Sequence, residues 1–180
     1  MPIGLGGGFM PQVFNKLFKN PSRKEIMAQF YRKPEHEWIR GDGRISKIFD
    51  MLMTSLPTEY LNELFVKNDT LFILQRERLS TVLCFSPKTR IILVFENLID
   101  LIKTVNATQA VAVLAHELGH LVFKHDKRRP NNLQAQLEAD MFAIRLGFAQ
   151  DLLDFLSDQV KTHDLLMRIG QVQNYLTAAA

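Results

Sequence analysis

The spacing of apolar and polar positions divides the chain into a helical first third, a stretch of period two, and a helical remainder. Residues 22–31 read as a helix, with Ser22 as N-cap and Glu25 as the other half of a capping box. Pro34 and the Gly41-Asp42-Gly43 turn break the pattern after it. A second helix is predicted over 45–55, where Ile48, Phe49, Leu52 and Met53 share one face, and Pro57 starts another containing Tyr60, Leu61 and Leu64. Then the period changes. Residues 70–74, 81–85 and 90–95 read as three short strands, the last two joined as a hairpin through Ser86-Pro87-Lys88-Thr89. They predict a small antiparallel sheet ahead of an apolar helix over 110–123.

Three ionisable residues interrupt that apolar helix, in the order His116-Glu117-Leu118-Gly119-His120. Buried ionisable groups are costly unless they are paired or bound to metal. This is the HExxH pattern: imidazoles four residues apart stand one turn above each other on one helix face, so both reach a single ion while Glu117 flanks the same space. The chemistry it points to is zinc-dependent peptide hydrolysis, with the metal as Lewis acid and Glu117 as general base. Gly119 costs about 1 kcal/mol relative to Ala inside a helix, which is understandable if another element passes close by.

At 180 residues, with 47% hydrophobic and 23% charged residues, the chain has the composition of a globular protein with a sizeable core. No uninterrupted apolar run reaches the ~18 residues of a membrane span. With no secretory leader pattern and Cys84 as the one cysteine, the expected location is cytoplasmic. Cys84 sits in an apolar run, as a small core residue would. Residues 1–48 hold nine Lys and Arg against four Asp and Glu, whereas the remainder holds thirteen against fifteen. Residues 1–43 are therefore read as a basic, partly flexible N-terminal arm with short helices, and 44–180 as the main domain. Within the arm, Pro11 can open a basic amphipathic helix that would lie on an anionic membrane surface, cover the active site or pack on the domain, packing being the commonest outcome. Nucleic acid is not an expected partner, because the basic residues lack an aromatic stacking pattern or a known recognition motif.

Three motifs in order extend the picture. Val113-Leu114-Ala115-His116-Glu117-Leu118-Gly119-His120 is followed by His125, then by Gln136-Leu137-Glu138-Ala139-Asp140-Met141-Phe142-Ala143, then by His163-Asp164-Leu165-Leu166-Met167-Arg168-Ile169. Over residues 81–176 the chain resembles the M48 family of zinc metallopeptidases, within the gluzincin clan. The resemblance implies an α+β, zincin-like fold: a small antiparallel sheet with an edge strand, packed on a helical bundle carrying the HExxH helix. It also implies Zn2+ as cofactor and a peptide or unfolded protein as substrate, added to the edge strand in extended form.

The family usually has a Glu as third zinc ligand four residues before the Asp of the second motif, and this chain has Gln136 there. Glu138 is the nearest carboxylate and is taken first as third ligand beside His116 and His120, although two residues along a helix turn it about 200° from Gln136. Gln136 and direct binding by Asp140 remain alternatives. By the resemblance, Asp140 accepts a hydrogen bond from a ligating imidazole. His163 would bond the developing oxyanion or cap the metal, or is a surface residue; Arg168 organises the acidic side chains of the site or is a solvated charge. His125, with Lys124, Lys127, Arg128 and Arg129, reads as a basic helix end. The missing Glu also motivates a second reading, a catalytically silent module that binds protein partners through the same cleft.

Overall fold

A computed structural model describes residues 21–75, 88–128 and 130–179. The predicted capping box is present: Ser22 and Glu25 exchange side-chain and backbone hydrogen bonds at the start of α1 (Arg23–Arg32). As predicted, the helix is broken ahead of Pro34: α1 ends at Arg32 and Lys33 is extended. Pro34 then opens a 3-10 turn (Pro34–His36) that runs into α2 (Glu37–Arg40), since a proline at a first helical position gives up only an N–H that is unpaired anyway. The Asp42 side chain accepts from the Arg44 and Ile45 N–H groups and starts α3 (Gly43–Ser55), which buries the predicted stripe of Ile48, Phe49, Leu52 and Met53 together with Ile45. Arg23 reaches across to the far end of α3 and donates to the carbonyls of Met53 and Leu56, 2.7 Å each, satisfying groups that a helix end leaves open. Beyond Pro57, α4 (Thr58–Asn62) passes into a π-helical turn, Glu63–Lys67.

Two strands follow, β1 (Asp69–Gln75) and β2 (Thr89–Phe95), close to two of the predicted spans. They pair in parallel, from Asp69 opposite Thr89 to Gln75 opposite Phe95, which corrects the antiparallel sheet expected from the sequence. Period-two alternation marks a strand but carries no direction. The thirteen residues between Gln75 and Thr89 suffice for the crossover of about a dozen residues that parallel pairing needs. The predicted strand over 81–85, the first half of the hairpin turn after it, Cys84 and the helix from Pro11 lie outside the described residues.

The edge of β1 away from β2 is occupied at Phe72. Its N–H donates to His36 Nε2 at 3.1 Å and its carbonyl accepts from Trp38 Nε1 at 3.2 Å. His36 Nδ1 in turn donates to the Phe30 carbonyl at 2.7 Å, so one buried imidazole ties α1 to β1. Phe30, Phe49 and Phe72 pack around this contact, with ring centroids 5.0 to 5.9 Å apart. Ile26, Phe30 and Ile39, from the segment assigned to the arm, are buried in the same core as the rest.

After β2 come α5 (Glu96–Ile102) and the central helix α6 (Ala107–Val122), in which Ala110, Val111, Leu114, Ala115 and Leu118 are fully buried. The chain continues through α7 (His125–Arg128), α8 (Asn132–Arg145), α9 (Ala149–Ser157) and α10 (His163–Ala179). The architecture is α+β, with helices predominating. Among the described residues no helix is long and apolar enough to cross a membrane.

Candidate metal centre and cleft

Gly119 is where α6 and α8 come together. A Cβ there would lie 2.9 Å from Ala139 Cα, 3.1 Å from the Ala139 carbonyl oxygen and 3.0 Å from Phe142 Cβ, and the first two of these are backbone atoms that do not swing aside. The close approach expected from a helix-interior glycine is thus supplied by the helix carrying the second motif. It also places Asp140 directly behind His116.

Asp140 is fully buried. One carboxylate oxygen, Oδ1, lies 2.7 Å from His116 Nδ1, and Arg168 of α10 donates to both oxygens, from Nε to Oδ2 and from Nη2 to Oδ1, at 2.7 Å each. Burial alone would raise the pKa of Asp140, but the bonds from Arg168 and His116 outweigh it and hold the carboxyl below its ordinary value. An ionised carboxylate only accepts hydrogen bonds, so His116 Nδ1 carries the proton. The Nε2 lone pair of a neutral His116 then points the other way.

On that side stands His120, with its Nε2 3.1 Å from His116 Nε2. Burial, reinforced by the neighbouring His116 and His125, pushes the pKa of His120 down to about 4. Its Nδ1 lies 2.8 Å from Nδ1 of His125, whose Nε2 is 2.8 Å from Glu138 Oε2. Arg128 donates to both oxygens of Glu138, at 2.8 and 3.2 Å, and Gln134 Nε2 donates to Oε1 at 3.0 Å. The Arg128 bond foremost, then the His125 bond, pull the pKa of Glu138 down to about 2.

Three imidazoles therefore stand in a row between two carboxylates, with four gaps to fill. When all three are neutral they carry three protons. The two outer protons face the acceptor-only carboxylates, and the single proton of His120 serves either its His125 side or its His116 side, never both. One gap must be closed by something other than a proton of a neutral ring. A cation between the two Nε2 atoms does so, and their 3.1 Å separation is close to the about 3.3 Å set by two Zn–N bonds of 2.0–2.1 Å at a tetrahedral angle. The donor set fits a divalent ion at this pair. Among the described residues no group of three or more His, Cys, Asp and Glu side chains is arranged to hold a metal.

His120 borders a cleft of about 590 Å3 between β2, α5, α6 and α9. Glu117 and His120 lie on its α6 wall; Leu93, Phe95, Leu98, Leu101, Val113 and Phe155 make most of the remainder apolar. Glu117 is exposed to it, one residue from the buried His116. Of the other predicted site residues, Gln136 is half-buried on α8, one turn before Asp140, and Glu138 is engaged by Arg128, Gln134 and His125. His163 is exposed at the first position of α10, five residues before Arg168.

His125 corrects the reading of a basic helix end. Its side chain is 7% exposed and faces inward. The cause is local: Lys124 adopts φ of +55°, a left-handed conformation that ends α6 and turns the chain so that α7 begins with His125 directed back at His120. A non-glycine residue pays roughly 1 kcal/mol for that conformation, a strain that the surrounding contacts hold in place. The spacing of five residues after His120 was the only signal in the sequence.

Residues 84–156 match the model of peptidase family M48. Over this span the chain is similar to the metallopeptidases of that family. The matched span takes in β2, both motif helices and nearly all of α9, and stops short of α10, which brings Arg168 to Asp140. Peptidases of the M48 family are in general zinc-dependent, in keeping with the donor chemistry of the His116/His120 pair. Comparisons with curated proteins and with solved structures each found no match.

Proposed function

We propose that the M48-like domain is a zinc-dependent endopeptidase acting on extended peptide or unfolded protein segments, with Glu117 as general base. The observation that carries the proposal is the opposed Nε2 pair of His116 and His120, each ring oriented by a separate hydrogen-bond chain, with His120 lining the same cleft as Glu117. His116 and His120 would hold the zinc, which would supply a Lewis acid able to acidify a water to a pKa of roughly 7. Glu117, on the cleft wall, would then take up a proton from the attacking water and pass it to the leaving amine. Arg168 and Asp140 keep His116 in the tautomer that binds metal through Nε2.

Gln136 takes the third ligand position by register, since it stands one helical turn from Asp140 and so on the same side of α8. Its amide oxygen is a neutral donor, weaker than the usual Glu. Glu138 already spends both oxygens on Arg128, Gln134 and His125. His163, near Arg168 in sequence on α10, is proposed to bond the oxyanion from the cleft wall once substrate is in place. An extended substrate would run along β2 and seat a large apolar side chain among Leu93, Phe95 and Phe155. The N-terminal arm would supply any contact with a membrane surface.

Gln136 also favours a second reading, a catalytically silent module that binds peptides in the same cleft. Elemental analysis together with Glu117→Gln separates the two. The expected result is close to one zinc per chain in both proteins, with hydrolysis of a casein-type substrate lowered on the order of a hundredfold or more in Glu117→Gln. Zinc without any hydrolysis by the parent protein would select the silent module, and parental hydrolysis by Glu117→Gln would refute the general base.

A further inference from the structure

His125, Glu138 and Arg128 lie away from the apolar cleft, yet they are connected to it. Glu138 is clamped by Arg128 through two donated bonds and by Gln134 through a third, which leaves one well-placed acceptor, Oε2, for His125 Nε2 at 2.8 Å. With that nitrogen donating, the neutral His125 ring presents the lone pair of Nδ1 to His120 Nδ1, 2.8 Å away. His120 can satisfy it only by carrying its own proton on Nδ1. Its Nε2 is then a bare lone pair aimed at His116 Nε2. The arrangement repeats, one helical turn along α6, what Asp140 and Arg168 do for His116, with the His125 imidazole interposed between His120 and Glu138.

We propose that His125 is a positioning residue of the metal site: it accepts the His120 Nδ1 proton, and Glu138, fixed by Arg128, sets the orientation of its ring. This rests on the reading of His116 and His120 as metal ligands. It gives Glu138 work behind the ligands in place of a seat at the metal. It also accounts for the strained Lys124, whose left-handed turn brings His125 back over the end of α6. Groups that orient a ligating histidine typically change metal affinity by roughly 10–100-fold when removed.

The test uses the full chain labelled with 15N in its histidines, zinc-free and zinc-loaded, with His125→Leu, His125→Asn and Glu138→Gln beside it. Long-range 1H–15N correlation spectra read the tautomer of His120, and competition with a chelating dye reads zinc affinity. The expected result in the zinc-free parent is a proton on His120 Nδ1. In His125→Leu that preference is lost and zinc binds about 10–100-fold more weakly. His125→Asn, whose side-chain oxygen replaces the Nδ1 acceptor, recovers most of both, and it carries the test if the leucine variant does not fold. Glu138→Gln falls between the parent and His125→Leu. A parental His120 protonated on Nε2, or a folded His125→Leu with parental tautomer and affinity, overturns the assignment. Failure of the parent itself to bind zinc would refute the metallopeptidase reading instead, and the zinc-free spectra would still decide what His125 does.

Discussion

His36 and the His116/His120 pair spend their ring nitrogens differently. His36, 0% exposed, donates from Nδ1 to the Phe30 carbonyl and accepts at Nε2 from the Phe72 amide, so both nitrogens are consumed by backbone. His116 and His120 use their Nδ1 atoms in the same way, on Asp140 and His125, but turn their Nε2 atoms towards each other beside an open cleft. A histidine with two complementary partners is complete and serves as a structural tie. A pair left with one proton too few has a use for a cation. Burial and pKa do not separate the two cases, since His36 and His120 are both pushed down to about 4, chiefly by burial. The destination of each ring nitrogen separates them.

The largest effect is expected from removing one ring of each kind. His36→Ala leaves the Phe72 amide and the Phe30 carbonyl without partners in the aromatic core and opens a cavity, a loss of about 3–5 kcal/mol. His116→Ala should abolish zinc uptake while costing clearly less stability in the metal-free protein. Denaturant melts and chelator competition on both variants measure this; zinc uptake by folded His116→Ala would erase the distinction. Next in size is a pH effect. His36 titrates near 6.5 when unfolded and at about 4 when folded, so the unfolded chain binds the extra proton between those values. Its stabilising contribution is complete above pH 6.5 and falls as the pH drops towards 4. His36→Gln, which does not titrate, should flatten the fall in metal-free stability from pH 7 to 4.5 by about one proton's worth of slope in urea melts. Parallel curves would show that His36 binds its proton alike in the folded and unfolded chain. The smallest effect is expected for Gly119→Ala. The gain in helix propensity of about 1 kcal/mol is outweighed by the contact with the Ala139 backbone, giving a net loss of about 1–2 kcal/mol and weaker zinc binding as α8 moves off α6. A stabilised variant with parental zinc affinity would mean that the helices have room to spare.

What was legible in the sequence was local. The Ser22/Glu25 capping box, the Ile48/Phe49/Leu52/Met53 stripe and the need for a close neighbour at Gly119 each follow from a few residues and one helical period. The direction of β2 relative to β1 was not, because alternation is the same for both directions and the deciding information lies in a connection thirteen residues long. The inward turn of His125 was hidden for a related reason. Its basic neighbours predict a solvated helix end, and only the left-handed Lys124 redirects the chain. His36 was equally silent, since its two partners, Phe30 and Phe72, are remote backbone groups that no side-chain pattern announces.

The occupied outer edge of β1 has a consequence for what the sheet can be asked to do. A strand that exposes its whole ladder on both sides is a template in two directions, and extended chains can add to it without end. Here the Phe72 peptide, N–H and carbonyl alike, is spoken for by His36 and Trp38. A chain that joined along β2 would find the pairing stopped one strand further on. Pairing that spread across the sheet would meet an already partnered peptide at Phe72, a useful property in a protein proposed to handle unfolded chains.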